Sequence, residues 1–249
     1  MALQDKIARS LFEISSAITD GAFQFKQVAG GLSVLGDRPF TYMDDFVDNR
    51  ITYTSTDDGG TGTNAFQDAA GGWYNVVTAA ADNDYHLMSS ANEVVVFDAS
   101  KEVYFETRIK LTESNTDDAN IVVGVSDTLT NGFLADDGGG PPASYDGAVF
   151  FKVDGSTVWQ FESSNADTQV TDSDVGAFVS GTATTLAFHY DPNDGTTGVI
   201  TYYYNGSSAG TQSITIAGLE EMHLIFGNKA GGTNAETLEI DYLYVEQQR

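Results

Sequence analysis

Between Val103 and Thr112 the chain alternates without a break. Val103, Phe105, Thr107, Ile109 and Leu111 fall on one side, and Tyr104, Glu106, Arg108, Lys110 and Thr112 on the other. A period of two puts these sets on opposite faces of an extended strand, one turned to a core and one to water. From Thr41 onward the rest of the chain reads the same way. Asp154-Gly155 separates AVFFKV from STVWQF, and Asn205-Gly206 separates VITYYY from a strand near SITI. Both dipeptides tolerate the positive φ angles of tight hairpin turns. Further strands are predicted over 73–79, 85–89, 93–98, 120–126, 184–190, 222–226 and 237–246, with turn signals between them. Strands of this number and spacing predict an all-β fold, a two-sheet antiparallel sandwich.

The first 38 residues differ from this pattern. They carry Lys6, Arg9, Lys26 and Arg38 against Asp5, Glu13, Asp20 and Asp37, a net charge of zero, while the other 211 residues carry the whole net charge of −25. Leu3, Ile7, Leu11, Ile14 and Ile18 recur at spacings of four, four, three and four, which predicts an amphipathic helix over 3–19 that stops at Gly21. Such a helix, about 25 Å long, is marginal alone and needs a partner for its stripe. That partner is either the chain's own body or a neighbouring chain. Residues 22–38, with Phe23, Phe25 and Val28 before Gly30-Gly31, read as an extended strap or short hairpin. The expected organisation is an N-terminal arm over 1–38 and a β-domain over 39–249. Leu3, Ile7, Leu11, Ile14, Ile18, Phe23 and Phe25 are its candidate interaction residues.

A net charge of −25 repels phosphate, so neither nucleic acid nor an anionic membrane surface is an expected partner of the body. The acidity fits solubility and mutual repulsion, or divalent cations held in Asp-rich loops. With no cysteine, disulfides and thiolate metal sites are ruled out. No apolar run approaches a membrane span, and Asp5, Lys6, Arg9 and Glu13 interrupt any signal-peptide core.

The order FETRIKL, NIVVGVSD, GAVFFKVDG, TLAFHYDPNDGTTGVITYYYNG and a closing TLEIDYLYVE resembles the concanavalin A-like lectin/glucanase jelly roll, with its laminin-G-like relatives, over roughly residues 40–249. The resemblance implies that the first and last strands lie together. MDDFVDNRITY (43–53) would then run beside TLEIDYLYV (237–245) and bring the arm out next to the C-terminus. It also raises glycosidase chemistry, which needs two carboxylates on one strand face. The glucanase branch uses Glu-x-Asp-x-x-Glu on a mid-chain strand. Here the nearest text is Glu239, Asp241 and Glu246 on the last strand, with Tyr244 where the third carboxylate belongs. An ordinary strand is expected there, and no enzyme.

Other constellations are weak. His86, His189 and His223 sit in separate strand-like runs without ligand spacing. Acidic loops occur at Asp57-Asp58, Asp117-Asp118, Asp136-Asp137 and Asp191-Pro-Asn193-Asp194. Ca²⁺ needs six to eight oxygens, and the same residue types also build ordinary turns. Asp191, Asn193 and Asp194 are the candidate calcium ligands, and no other cofactor is expected. Sugar binding needs an aromatic platform, for which Trp73, Tyr74, Trp159 and Tyr202–Tyr204 are the available rings.

The texture as a whole resembles phage proteins that decorate heads or form short fibres. The expectation is therefore a non-enzymatic virion structural protein on the capsid exterior, held by its N-terminal arm. It would be a homo-oligomer, a trimer ahead of a dimer, in contact with a major capsid protein or another virion subunit. The alternative is a carbohydrate-binding, lectin-like module for host-surface glycans.

Overall fold

A computed structural model describes residues 39–48, 51–58, 62–130 and 132–248. These residues form fifteen strands and no helix. In chain order they are β1 (Phe40–Asp44), β2 (Tyr53–Asp57), β3 (Thr63–Gln67), β4 (Trp73–Val77), β5 (Tyr85–Ser90), β6 (Val103–Thr112), β7 (Ala119–Ser126) and β8 (Gly147–Lys152). They continue with β9 (Val158–Asn165), β10 (Thr168–Ala177), β11 (Thr184–Asp191), β12 (Thr197–Tyr204), β13 (Ser207–Thr215), β14 (His223–Ala230) and β15 (Thr237–Gln247). The helix expected over 3–19 and the strap over 22–38, with Leu3, Ile7, Leu11, Ile14, Ile18, Phe23 and Phe25, lie outside the described residues.

The strands make two antiparallel sheets, the expected sandwich. The first runs β13-β12-β11-β6-β15-β4-β3, with β1 also paired to β15. The second runs β10-β9-β8-β7-β14-β5-β2. The long β15 organises the first sheet. One edge pairs with β6 throughout, and the other pairs with β4 over Thr237–Ile240 and with β1 from Leu243 to Gln247. The first and last strands are thus neighbours, as expected, and β1 starts beside the C-terminal end of β15.

Phe105, Phe188, Phe161, Phe150, Trp159, Phe226 and Ile240 fill the space between the sheets. β6 buries every second residue. β5, β7 and β8 are buried along their whole length. Their near-continuous runs, such as NIVVGVS, mark strands covered on both faces rather than one. Gly124 in β7 meets a steric demand: a Cβ there would lie 2.3 Å from the Ala148 carbonyl oxygen of β8.

Both hairpin dipeptides form. Asn205 and Gly206 take φ of 48° and 77°, and Gly155 takes 76°. Two expectations are corrected. Residues 93–98 make no strand; Val95 bridges Met222 and Asp98 bridges Lys101 as isolated contacts. Main-chain hydrogen bonds to Met222 and burial of Val95 and Phe97 fix this segment, not a ladder. Nor does 43–53 run beside 237–245 along its length: only Met43 and Asp44 pair there. β1 ends at Asp44, whose carboxylate accepts the Phe46 amide (2.8 Å) and the Tyr53 hydroxyl (2.9 Å), and Phe46 turns the chain at φ 51°.

At one end the apolar interior gives way to a buried polar layer. Lys152 Nζ, with no exposed surface, meets Glu113 Oε1 at 2.7 Å. It also donates to the main-chain carbonyls of Ala119 (2.8 Å) and Asp117 (3.2 Å). Beside it Glu236, 1% exposed, accepts the Ser114 amide at 2.9 Å. Its main chain exchanges hydrogen bonds with Thr78.

Candidate functional site

Each sheet has one face turned away from the sandwich interior. That of the second sheet is closed by the chain itself. Phe133, Leu134 and Tyr145, from the segment joining β7 to β8, pack on Tyr85, Leu87, Val122, Val149, Phe151 and Ile225. Polar contacts pin this cover. Lys229 Nζ donates to the Leu134 carbonyl (3.1 Å) and pairs with Asp136. Glu162 accepts the hydroxyls of Tyr145 (3.1 Å) and Thr171 (2.5 Å) and the Gln169 amide (2.9 Å). Burial pushes the Glu162 carboxyl above its usual pKa, against the pull of the Thr171 and Tyr145 bonds.

The outer face of the first sheet is half-buried along its middle, which is built from the polar side of β6 and the matching side of β15. The register sets Tyr104 opposite Glu246 and Glu106 opposite Tyr244. The pattern continues onto the neighbouring strands. Ala187 of β11 lies opposite both Glu106 and Tyr203 of β12, and Met43 of β1 lies opposite Tyr244. One row across the sheet therefore reads Tyr203, Ala187, Glu106, Tyr244, Met43. The adjacent row reads Thr201, His189, Tyr104, Glu246, Thr41.

Hydroxyls and carboxylates lock this lattice. Glu106 accepts Tyr242 at Oε1 (2.6 Å) and Tyr104 at Oε2. Tyr244 donates to Glu246 Oε2 at 2.6 Å. The Tyr104 and Tyr244 rings meet edge-on, with centroids 6.0 Å apart. Partial burial, then the bond to and charge of Glu106, hold Tyr104 and Tyr242 above the usual phenol pKa; burial and Glu246 do the same for Tyr244. All three remain hydroxyl donors near neutral pH. Beyond Tyr242, Arg108 pairs with Asp241 and Lys110 with Glu239 at 2.7 Å. Both cations lie over the Trp73 ring, 5.4 and 5.2 Å from its centroid.

The residues singled out from sequence fare variously. Glu239 and Asp241, the nearest text to a glycosidase pair, are each engaged by a cation. Asp191, Asn193 and Asp194 form the β11–β12 turn. Asp191 Oδ1 accepts the Asn193 amide (2.7 Å), and Asp194 Oδ1 accepts the Thr196 and Thr197 amides (2.8 and 2.7 Å). The Thr197 and Thr196 amides hold the Asp194 carboxyl below its usual range. Among the described residues no group of three or more His, Asp or Glu side chains is arranged to hold a metal ion. The three histidines occupy β5, β11 and β14. His86 meets Ser55 (3.0 Å), His189 meets Glu102 (3.2 Å), and His223 meets the Ser90 carbonyl (2.8 Å). Of the candidate platform rings, Trp159, Tyr74 and Tyr202 belong to the core. Trp73 and Tyr203 face outward and are half-buried.

Sequence reasoning placed Tyr104, Glu106, Arg108 and Lys110 on one outer face but missed their union with Tyr242, Tyr244 and Glu246. The missing fact was the β6–β15 pairing, which brings together residues more than 130 positions apart.

No family model matches the chain, and no curated protein does. Solved structures do. Lectin II from Ulex europaeus aligns with a TM-score of 0.56 at 12% identity, over 86% of this chain and 100% of that one. The endo-β-1,4-glucuronan lyase of the fungus Trichoderma reesei aligns at 0.56 and 9%, over 82% and 94%. A Shewanella oneidensis protein of unknown function aligns at 0.55 and 13%, over 100% and 95%. At these identities the likeness is one of fold: a concanavalin A-like jelly roll.

Proposed function

We propose that the β-domain is a non-catalytic carbohydrate-binding module whose ligand lies on the outer face of the first sheet. The observation that carries this reading is the tyrosine–glutamate lattice of Tyr104, Glu106, Tyr242, Tyr244 and Glu246. Aromatic rings offer apolar faces to the C–H faces of a sugar, and carboxylates fixed beside them accept its hydroxyls. The other outer face is filled by the protein's own side chains. The lectins among the solved structures of similar fold support the reading by analogy only. A glycan array decides it. The intact protein gives discrete positives, and Tyr242→Ala with Tyr244→Ala removes them while the thermal unfolding profile is kept. A silent array, or positives that survive both substitutions, sinks the assignment.

The neutral first 38 residues beside a body of net charge −25 favour a second, compatible role. In it the arm anchors the chain in a larger assembly, a virion exterior or similar particle, and the sandwich is presented to solvent as one copy of a homo-oligomer. Deletion of residues 1–38 should leave a folded, glycan-competent sandwich that no longer assembles. Normal assembly by the truncated chain rejects the anchor.

A further inference from the structure

The segment 127–146 joins β7 to β8, and its described residues form no helix or strand. A connection of that length without regular structure is uncommon in a compact domain and is usually functional. Its ends are pinned to each other. The Asp127 amide donates to the Asp146 carbonyl (3.0 Å), and the Asp146 amide to Asp127 Oδ1 (2.8 Å). What lies between can therefore move without disturbing the β7–β8 ladder. Within it Phe133–Gly140 makes a tight curl. The Ala135 amide donates to the Gly140 carbonyl (3.0 Å) and the Gly139 amide to the Asp136 carbonyl (3.1 Å). Gly132 enters the curl at φ 89°, a conformation that glycine takes without strain, with open space where a side chain would stand. On the other side Pro142 is tied down, its carbonyl accepting from Gln169 Nε2 at 2.7 Å.

Phe133 and Leu134 seat the curl on the outer face of the second sheet, and Phe133 meets the Tyr145 ring edge-on, with centroids 5.3 Å apart. Its polar fastening is Lys229, which donates to the Leu134 carbonyl (3.1 Å) and pairs with Asp136, a side chain 64% exposed. The layer beneath is imperfectly satisfied. The Tyr85 hydroxyl, in the same cluster as Phe133 and Leu134, is buried and meets no hydrogen-bond partner among the described residues. Ser89 Oγ, on the same face of β5, is likewise buried and unpaired among them. Buried hydroxyls are ordinarily paired, and an unpaired one has lost its hydration without compensation. Lifting the curl lets water reach this face, which lowers the free energy of the open form relative to a fully satisfied core.

We propose that Phe133–Gly140 is a lid, hinged between Gly132 and Pro141 and latched by Lys229. It opens locally and uncovers the apolar outer face of the second sheet while the sandwich stays folded. Openings of this kind occur at free energies below that of global unfolding. The lid is independent of the carbohydrate reading, which concerns the first sheet.

The chain has no cysteine, so one introduced thiol reports access without background. Val122 and Val123 are neighbours on β7, both fully buried. Val122 lies in the cluster under the lid and Val123 in the core between the sheets. Full-length Val122→Cys and Val123→Cys are each treated with dithiobis(nitrobenzoate) across low urea concentrations. Val122→Cys should react at least about tenfold faster than global unfolding allows, with a nearly flat urea dependence because little surface opens. Val123→Cys should react at the rate and with the urea slope of global unfolding. Lys229→Met leaves no buried charge behind, since Asp136 reaches the surface. It should speed the reaction of Val122→Cys at least about tenfold, and that of Val123→Cys only as far as global stability changes. If Val122→Cys does not fold, Val149→Cys on β8, under the same cover, takes its place. Equal rates at 122 and 123 overturn the lid. Fast reaction at 122 that ignores Lys229→Met overturns this curl as the moving part. Either failure leaves the carbohydrate reading untouched.

Discussion

Glu236 is a buried acid with an unusual proton balance, and replacing it by glutamine should change how stability depends on pH. Burial raises its pKa from 4.5 to about 7. The charges of Glu113 and Asp118 add to the rise, while the Ser114 amide and Lys152 oppose it. Between pH 4.5 and 7 the native protein therefore holds a proton that the unfolded chain has released. Stability from this group is full below the unfolded pKa and falls as pH rises through the folded one. The displacement corresponds to at most about 3 kcal/mol, complete by about pH 8. A glutamine side chain at this position mimics the protonated acid and can still accept from Ser114.

Urea unfolding of both proteins from about pH 5 to about pH 8 isolates the effect, because the general repulsion of a −25 chain is nearly common to the two. At the acid end they should be close in stability. By about pH 8 Glu236→Gln should be the more stable by about 1–3 kcal/mol. A difference that stays constant across the range, or one that favours wild type at high pH, refutes the argument that this carboxyl is stored protonated.

Two further outcomes follow from packing. Lys152→Met strands Glu113 without its cation in a site where both side chains are almost fully buried; it should cost about 3–5 kcal/mol in urea unfolding, and adding Glu113→Gln should recover part of that loss. Gly124→Ala would press a methyl group against the Ala148 carbonyl; it should cost about 1–3 kcal/mol by forcing β7 from β8, read as a lower unfolding temperature.

Much of the fold was legible because its signals are local. The alternation over 103–112 became β6, and Asn205-Gly206 became a two-residue turn between β12 and β13. What failed was also local in cause. Residues 93–98 have strand-like composition, but main-chain bonds reach only Met222, from Val94 and Val95, and burial of Val95 and Phe97 does the rest, so no ladder forms. The edge strand β10, TQVTDSDVGA, is mostly exposed and bulged between Asp172 and Gly176, so it carries no period to read. The candidate site was half legible. Its β6 contribution followed from alternation, but its partner strand depended on a register that no local pattern states.

That register does leave one trace in the text of β15. Apolar residues fall at Leu238 and Ile240, then at Leu243 and Val245. A strict period of two from Leu238 would call for apolar residues at 242 and 244, where tyrosines stand. A spacing of three between Ile240 and Leu243 breaks the phase, and the ladder has its irregularity there, between Ile240 and Tyr242. An extra residue in one strand changes which face every later side chain takes. Before the break Glu239 points outward; after it, Tyr242, Tyr244 and Glu246 do, while Leu243 and Val245 stay in the core. Read without the break, the strand offers Glu239 and Asp241 as a carboxylate pair and suggests glycosidase chemistry. Read with it, Asp241 is the bulge residue that holds Arg108, and the residues that matter on the outer face are the tyrosines and the glutamate beyond it. The bulge thus separates the half of the face over Trp73, where Arg108 and Lys110 meet carboxylates, from the half where Glu106 and Glu246 accept tyrosine hydroxyls.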